Sequence, residues 1–283
     1  MDLTGRVRVD GSSTVYPITE AAAEDFQAEH PDVQVTVGIS GSGGGFRKFC
    51  AGETDISDAS RPIKPSELTT CRANGVEPVE IMVGFDGISM VVNKANDFVT
   101  CLTVGELKRI WQPGSEVTTW RDVRPEWPDE KIILYGPGAD SGTFDYFTQV
   151  IVGEEDASRP DFMASEDDNV LVQGVAGDRY ALGYFGYAYY VENRDKLNLV
   201  AIDDGAGCVA PSPETIESRR YSPLARPLFI YIDQASLKRP AIRTFAEFYL
   251  LFARELLPQV GYVPLSLNRY QVRIEEIRWR AGQ

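Results

Sequence analysis

In the first quarter of the chain, three short apolar strand patterns each lead through a loop of Ser, Thr or Gly into a helical repeat. Arg6 to Val9 reads as a strand, after which Val15, Ile18, Ala22 and Phe26 recur at helical spacing until Pro31 stops them. Val33 to Val37 reads as a second strand, followed by the run Gly41-Ser42-Gly43-Gly44-Gly45 and a short helix around Phe46 to Ala51. A third strand near Asp55 to Asp58 precedes a helix after Pro65. Strands joined through helices in this βαβαβα order form a mainly parallel sheet flanked by helices, so the class is α/β.

The middle of the chain repeats the scheme. Ile88 to Val92 and Lys131 to Tyr135 read as strands, Val104 to Trp111 as a helix, and a further helix opens at Ser141 with Phe144, Phe147 and Ile151 on its apolar face. Ala181 to Phe185 and Leu228 to Ile232 read as strands, and Ile242, Phe245, Ala246, Tyr249 and Phe252 mark a long helix near the end. A chain of 283 residues, 43% of them apolar, can bury a sizeable core and favours two domains or lobes. The pattern alone fits either tandem domains or two lobes that the chain crosses more than once.

No run approaches the roughly 18 consecutive apolar residues of a transmembrane helix. The start, Met1-Asp2-Leu3-Thr4-Gly5, has no apolar signal region and reads as a mature form with an added start Met. Cys50, Cys71, Cys101 and Cys208 form no C-x-x-C pair, which argues against a zinc ribbon or a redox motif. Two disulfides are their simplest use; of three pairings we take Cys50 to Cys71 with Cys101 to Cys208, against the alternative of four separate buried thiols. A formal charge of −14 speaks against nucleic-acid binding. It does not exclude an anionic ligand, because surface charge is screened over about 8 Å and a buried anion feels chiefly the dipoles that touch it.

Four segments place Ser, Thr and Gly after a strand and before a helix: Asp10-Gly11-Ser12-Ser13-Thr14-Val15, the glycine run 41–45, Ser57-Asp58-Ala59-Ser60-Arg61-Pro62, and Gly138-Ala139-Asp140-Ser141-Gly142-Thr143. Helix N-termini present unpaired N–H groups and about half a positive charge, so each segment can hold an oxyanion, although each alone can equally be a simple helix cap. Arg61 adds a guanidinium able to bond an oxyanion twice. In open α/β sheets ligands bind at the carboxyl ends of parallel strands, where all four segments fall.

At these loops the chain resembles the PstS family, the phosphate-specific binding proteins of ABC importers. The similar stretches are Asp10-Gly-Ser-Ser-Thr-Val-Tyr-Pro17, Ile39-Ser-Gly-Ser-Gly-Gly-Gly45, Asp55-Ile-Ser-Asp-Ala-Ser-Arg-Pro62 and Asp140-Ser-Gly-Thr-Phe-Asp145, with weaker similarity at Ala181-Leu-Gly-Tyr-Phe-Gly-Tyr187. The resemblance implies a two-lobed periplasmic-binding-protein fold of type II with the ligand in the interlobe cleft. Lobe one would comprise residues 1–88 plus 228–283 and lobe two residues 89–227. It implies phosphate as ligand, a membrane permease as partner, and an exported monomer in the periplasm or outside the cell, either free or lipid-anchored, with no cofactor and no metal. Carried over by position, Thr14, Val15 and Ser42 meet the ion from lobe one, with Ser13 and Ser60 beside them, and Ser141, Gly142 and Thr143 meet it from lobe two.

Two positions depart from the family pattern. Well-known members carry a carboxylate near the place of Arg61, and before the lobe-two Ser-Gly-Thr an Arg two residues ahead of an Asp, where this chain has Pro137 and Ala139. The sequence therefore suggests that the guanidinium has moved to Arg61. A carboxylate acceptor favours phosphate, which keeps a proton at neutral pH, over sulfate, which does not. Asp140 is the first candidate for that role and Asp58 the second.

Other function classes find less support. Ser141 lacks G-x-S-x-G spacing, and the only histidine, His30, ends a helix, so a Ser-His-Asp triad is not indicated. There is no G-x-x-x-x-G-K-[ST], and Phe46 breaks G-x-G-x-x-G. Glu166-Asp167-Asp168 has no His or Cys nearby and reads as a helix start before Val170. The aromatic run from Tyr180 through Tyr184, Phe185, Tyr187 and Tyr189 to Tyr190 reads as core. The remaining alternatives are a binder of arsenate, sulfate or molybdate and a secreted phosphatase-like hydrolase.

Overall fold

The structure, a computed structural model, describes residues 3–139, 141–165 and 167–282. In chain order its first elements are β1 (Gly5–Gly11), α1 (Tyr16–Glu29), β2 (Val33–Ile39), α2 (Gly41–Cys50), β3 (Ile56–Ala59), α3 (Pro65–Ala73) and β4 (Pro78–Asn93). The middle holds β5 (Cys101–Thr103), α4 (Val104–Trp111), α5 (Trp120–Val123), β6 (Ile133–Pro137), α6 (Gly142–Phe147), β7 (Met163–Ser165), α7 (Asp168–Gly177) and β8 (Ala181–Gly186). There follow α8 (Tyr187–Glu192), β9 (Leu197–Asp203), β10 (Cys208–Val209), α9 (Pro213–Glu217), β11 (Ala225–Asp233), α10 (Pro240–Gln259), β12 (Val263–Pro264) and α11 (Leu267–Ala281). A π-helical turn, Thr148–Val152, continues α6, and among the described residues no helix is long and apolar enough to cross a membrane.

The chain divides into two units, one of Met1–Phe85, Pro227–Val260 and Pro264–Gln283, the other of Asp86–Arg226 and Gly261–Val263. Residues 261–263 group with the second unit rather than the first, because the Gly261 carbonyl accepts from the Ala188 N–H at 3.4 Å and Gly261 lies against the Tyr189 ring. Each disulfide stays inside one unit, Cys50–Cys71 in the first and Cys101–Cys208 in the second.

Unit one has the strand order β2-β1-β3-β11. β1 runs parallel to β2, with Gly5 opposite Val33 and Gly11 opposite Ile39, and parallel to β3, with Val9 opposite Ile56. β11 is antiparallel to β3, with Phe229 opposite Ala59. It re-enters after the whole middle segment, so no helical crossover forces it parallel. All four residues of β3 are buried, as a strand covered on both faces requires. On one side Phe26 of α1 meets Phe245 and Phe248 of α10 edge-on at 5.3 and 5.2 Å. On the other, Phe46, Phe49 and Cys50 of α2 pack with Ala59, Cys71, Phe229 and Tyr231.

The glycine run departs from expectation. It is not a loop before a helix: α2 begins at Gly41 and the glycines form its first turns. Close approach explains this. A Cβ on Gly45 would stand 2.6 Å from the Gly11 Cα and 2.9 Å from the Asp10 carbonyl oxygen, so only glycine lets the helix lie this tightly on β1.

In unit two, β6 is parallel to β7 and β8, while the second half of β4 is antiparallel to β8 and β9. β5 and β10 both pair with β9. Leu171, Val172 and Val175 of α7 close the core over Val91, Ala181, Phe185 and Leu197. Asp167 caps α7 by accepting from the Asn169 N–H at 2.9 Å, which fits a helix start; Glu166 lies outside the described residues. Of the aromatic run, Tyr184 and Phe185 are core on β8, whereas Tyr187, Tyr189 and Tyr190 are half-buried on α8.

Candidate functional site

Unit one brings three of the four segments together at the carboxyl ends of its parallel strands. The Ser12 N–H donates to the Asp58 carbonyl at 3.0 Å and the Ser40 N–H to the Gly11 carbonyl at 3.1 Å, joining the ends of β1, β2 and β3. Beyond Ser12 the chain turns at once into α1, with the Tyr16 N–H donating to the Ser12 carbonyl at 3.0 Å. Ser13 is exposed on this turn, while Thr14 and Val15 are buried within it. The Ser42 hydroxyl accepts from the Ser60 N–H at 3.1 Å and lies 3.3 Å from the Ser60 hydroxyl, linking the glycine helix to the end of β3.

Arg61 and Asp10, beside these loops, are each paired with an opposite charge. Arg61 makes a two-point bond to Glu67 at 2.9 and 2.7 Å, donates to the Pro62 carbonyl at 3.1 Å, and lies 5.3 Å from the centre of the Phe46 ring. Partial burial works against the Glu67 carboxylate, but Arg61 and the Lys64 N–H outweigh it and hold the group below its usual range. The guanidinium lies beside the loops, and Glu67 balances its charge. Asp10 binds Lys48 at 2.6 Å and accepts from the Ser40 hydroxyl. That bond occupies the side chain at the N-cap of α2, which accordingly makes no cap of its own.

Asp58, the second candidate for the proton-sensing carboxylate, does not reach the loop surface. Successive strand residues face opposite ways. Ser57 faces the glycine helix, where its hydroxyl would stand 2.8 Å from a Cβ on Gly45, so Asp58 faces the other side, toward Thr19 and Tyr249. It is 1% exposed and neither carboxylate oxygen has a hydrogen-bond partner at normal geometry. Burial first, then the charge of Asp10, push its carboxyl up to about 8, with the nearby Thr19 hydroxyl working against them. The first candidate, Asp140, lies outside the described residues.

Unit two places Ser141, Gly142 and Thr143 at the start of α6. The Ser141 N–H donates to the Gly138 carbonyl at 3.1 Å, and its hydroxyl caps the helix by accepting from the Thr143 N–H at 3.2 Å. Asp145, one turn on, is half-buried, and burial followed by the charges of Asp156 and Glu155 raises its carboxyl to about 6.

Sequence reasoning missed Arg226. Its guanidinium binds the buried Asp86 carboxylate through Nε at 3.1 Å, donates to the Gly142 carbonyl at 2.9 Å and stacks 4.0 Å from the centre of the Tyr146 ring. Both partners of the ion pair come from the places where the chain passes between units, so no local motif marks them. No group of His, Cys, Asp and Glu side chains that could hold a metal ion occurs among the described residues.

Comparison with known proteins adds an independent line. The model of the PBP superfamily domain matches residues 2–251. The chain is 51% identical over 269 residues to the protein SphX of Synechocystis, covering 94% of this chain and 80% of SphX. It is 38% identical over 279 residues to the phosphate-binding protein PstS of Staphylococcus haemolyticus, covering 98% of this chain and 86% of that one. The crystal structure of a possible phosphate binding protein from Planctomyces limnophilus superposes with a TM-score of 0.93 at 46% identity, over 99% of this chain and 100% of the other.

Proposed function

The chain belongs to the PBP superfamily and, within it, to the family of the SphX and PstS phosphate-binding proteins, and from that premise we propose that it binds inorganic phosphate and delivers it to an ABC importer without catalysing a reaction. The observation that carries the reading is the convergence of the three strand-end segments in unit one, tied through Ser42 and Ser60, with glycines that let α2 close on β1. Backbone N–H groups and hydroxyls at helix starts suit a small oxyanion. In unit one the binding groups are those of Thr14, Val15, Ser42 and Ser60, with Ser13 and Arg61 at the margin. In unit two they are those of Ser141, Gly142 and Thr143, with Asp140 as proton acceptor. The protein acts as a monomer in the periplasm or outside the cell, its partner a permease and not a nucleic acid.

A thermal-shift series with phosphate, arsenate, sulfate and molybdate tests this, since a ligand held by the folded state alone raises stability by mass action. Phosphate at about 100 times its Kd should contribute about 2.7 kcal/mol, and p-nitrophenyl phosphate should not be hydrolysed. A shift with sulfate or molybdate and none with phosphate would assign a different oxyanion; hydrolysis of the ester would reject the non-catalytic reading.

A further inference from the structure

We propose that Arg226 is a positioning residue for the anion-binding turn of unit two, orienting the Thr143 N–H and supplying the positive charge behind it, a role that rests on the phosphate reading above. The geometry is local. Gly142 and Thr143 share one planar trans peptide, in which the carbonyl oxygen of the first and the N–H of the second point in opposite directions. Arg226 holds that oxygen at 2.9 Å, and so fixes the direction of the N–H on the far side of the same plane, which donates to the Ser141 hydroxyl at 3.2 Å and would be shared between that hydroxyl and the anion. The bond matters at Gly142, where the absent side chain leaves the backbone more conformations to choose from.

The guanidinium is itself held. Its side chain is 13% exposed, its Nε and one terminal nitrogen both meet Asp86 at 3.1 Å, and it lies against the Tyr146 ring. The Tyr146 hydroxyl in turn donates to the Pro223 carbonyl, anchoring the ring beneath the cation. Arg226 thus bridges the wholly buried Asp86 carboxylate and the turn, with the cation on the side of the turn. This also bears on the Arg that family members carry where Pro137 stands. In this chain Arg226 reaches the turn from a distant part of the sequence, donating to the Gly142 carbonyl at 2.9 Å.

The charge and the orientation can be separated by experiment. A unit charge about 7 Å from an anion, at an effective dielectric of about 20 to 40, changes affinity roughly ten- to fiftyfold. Phosphate binding to the full chain is measured by titration calorimetry for the parent and for Arg226→Gln, Arg226→Lys, Asp86→Asn and Ser141→Ala, with thermal unfolding as a check that each folds. Arg226→Gln should weaken binding at least about tenfold, and Arg226→Lys should recover a large part of the loss. Asp86→Asn should tighten binding, because it removes the negative charge behind the cation while keeping its shape. A merely structural ion pair shares the loss in Arg226→Gln but predicts that Asp86→Asn also weakens binding and that lysine does not rescue. That pattern, or parental affinity in Arg226→Gln, overturns the proposal. Ser141→Ala distinguishes its failure from that of the reading beneath it. If the parent binds no phosphate, or Ser141→Ala leaves binding unchanged, the turn is not part of the site and the role of Arg226 falls with it.

Discussion

Asp58→Asn should abolish a steep dependence of stability on pH. The carboxyl is 1% exposed, without hydrogen-bond partners, and raised from 3.8 to about 8 in the folded chain. Below the unfolded value both states carry the proton, and the folded chain has its full stability in this respect. Between about pH 4 and pH 8 the unfolded chain has released the proton and the folded chain retains it. Stability therefore falls as pH rises, by about 1.4 kcal/mol per unit, until the folded group ionises too. From about pH 5 to about pH 7.5 the loss is roughly 3 kcal/mol. Asparagine has nearly the size of the protonated acid and does not titrate. Urea unfolding, followed by circular dichroism with the disulfides intact, should show the variant gaining on the parent by that amount over this interval, with all other titrating groups cancelling in the comparison. A stability difference that stays constant with pH would refute the reasoning and mean that Asp58 is ionised, or solvated, in the folded protein.

Gly45→Ala should destabilise unit one by about 2 kcal/mol, a fall of roughly 4 to 8 °C in Tm by calorimetry, since the new methyl meets the β1 backbone rather than a movable side chain. Replacing both members of Cys101–Cys208, which closes a separation of 107 residues, should cost about 5 kcal/mol by chain entropy, against about 3 for Cys50–Cys71 with a separation of 21, measured by urea unfolding of the paired serine variants. Asp145 is raised to about 6 by burial and by Asp156 and Glu155, so its contribution to stability is lost as pH rises from about 4 to 6. Asp145→Asn should thus be more stable than the parent near pH 7 by about 1 kcal/mol after allowing for its solvent exposure, and no different near pH 3.

Local periodicity made the α/β order of unit one legible, and α4 falls where its apolar spacing predicts. The length of β4 was hidden because its second half is buried on both faces and shows no alternation to read. β9, with the short β5 and β10 against it, carries too little pattern to separate from turns. The glycine run misled because propensity disfavours helix there, whereas packing against Gly11 requires it. The four candidate segments could be found since each is contiguous. Arg226 could not, because its partners Asp86, Gly142 and Tyr146 are remote in sequence and become neighbours only through the fold.

The antiparallel closure of the first sheet also has a bearing on how the protein is made. β3 receives its outer neighbour, β11, only after about 170 further residues have been synthesised. At about 5 to 20 residues per second, an unpaired strand edge stays open on the nascent chain for roughly 10 to 35 s. The continuous stretch from Asp86 to Arg226 is complete before that neighbour emerges in full. An exposed edge is a template for pairing with other chains. The open edge of β3 is therefore a hazard of misassembly during synthesis that is set by the order of segments along the chain, whatever the stability of the finished molecule.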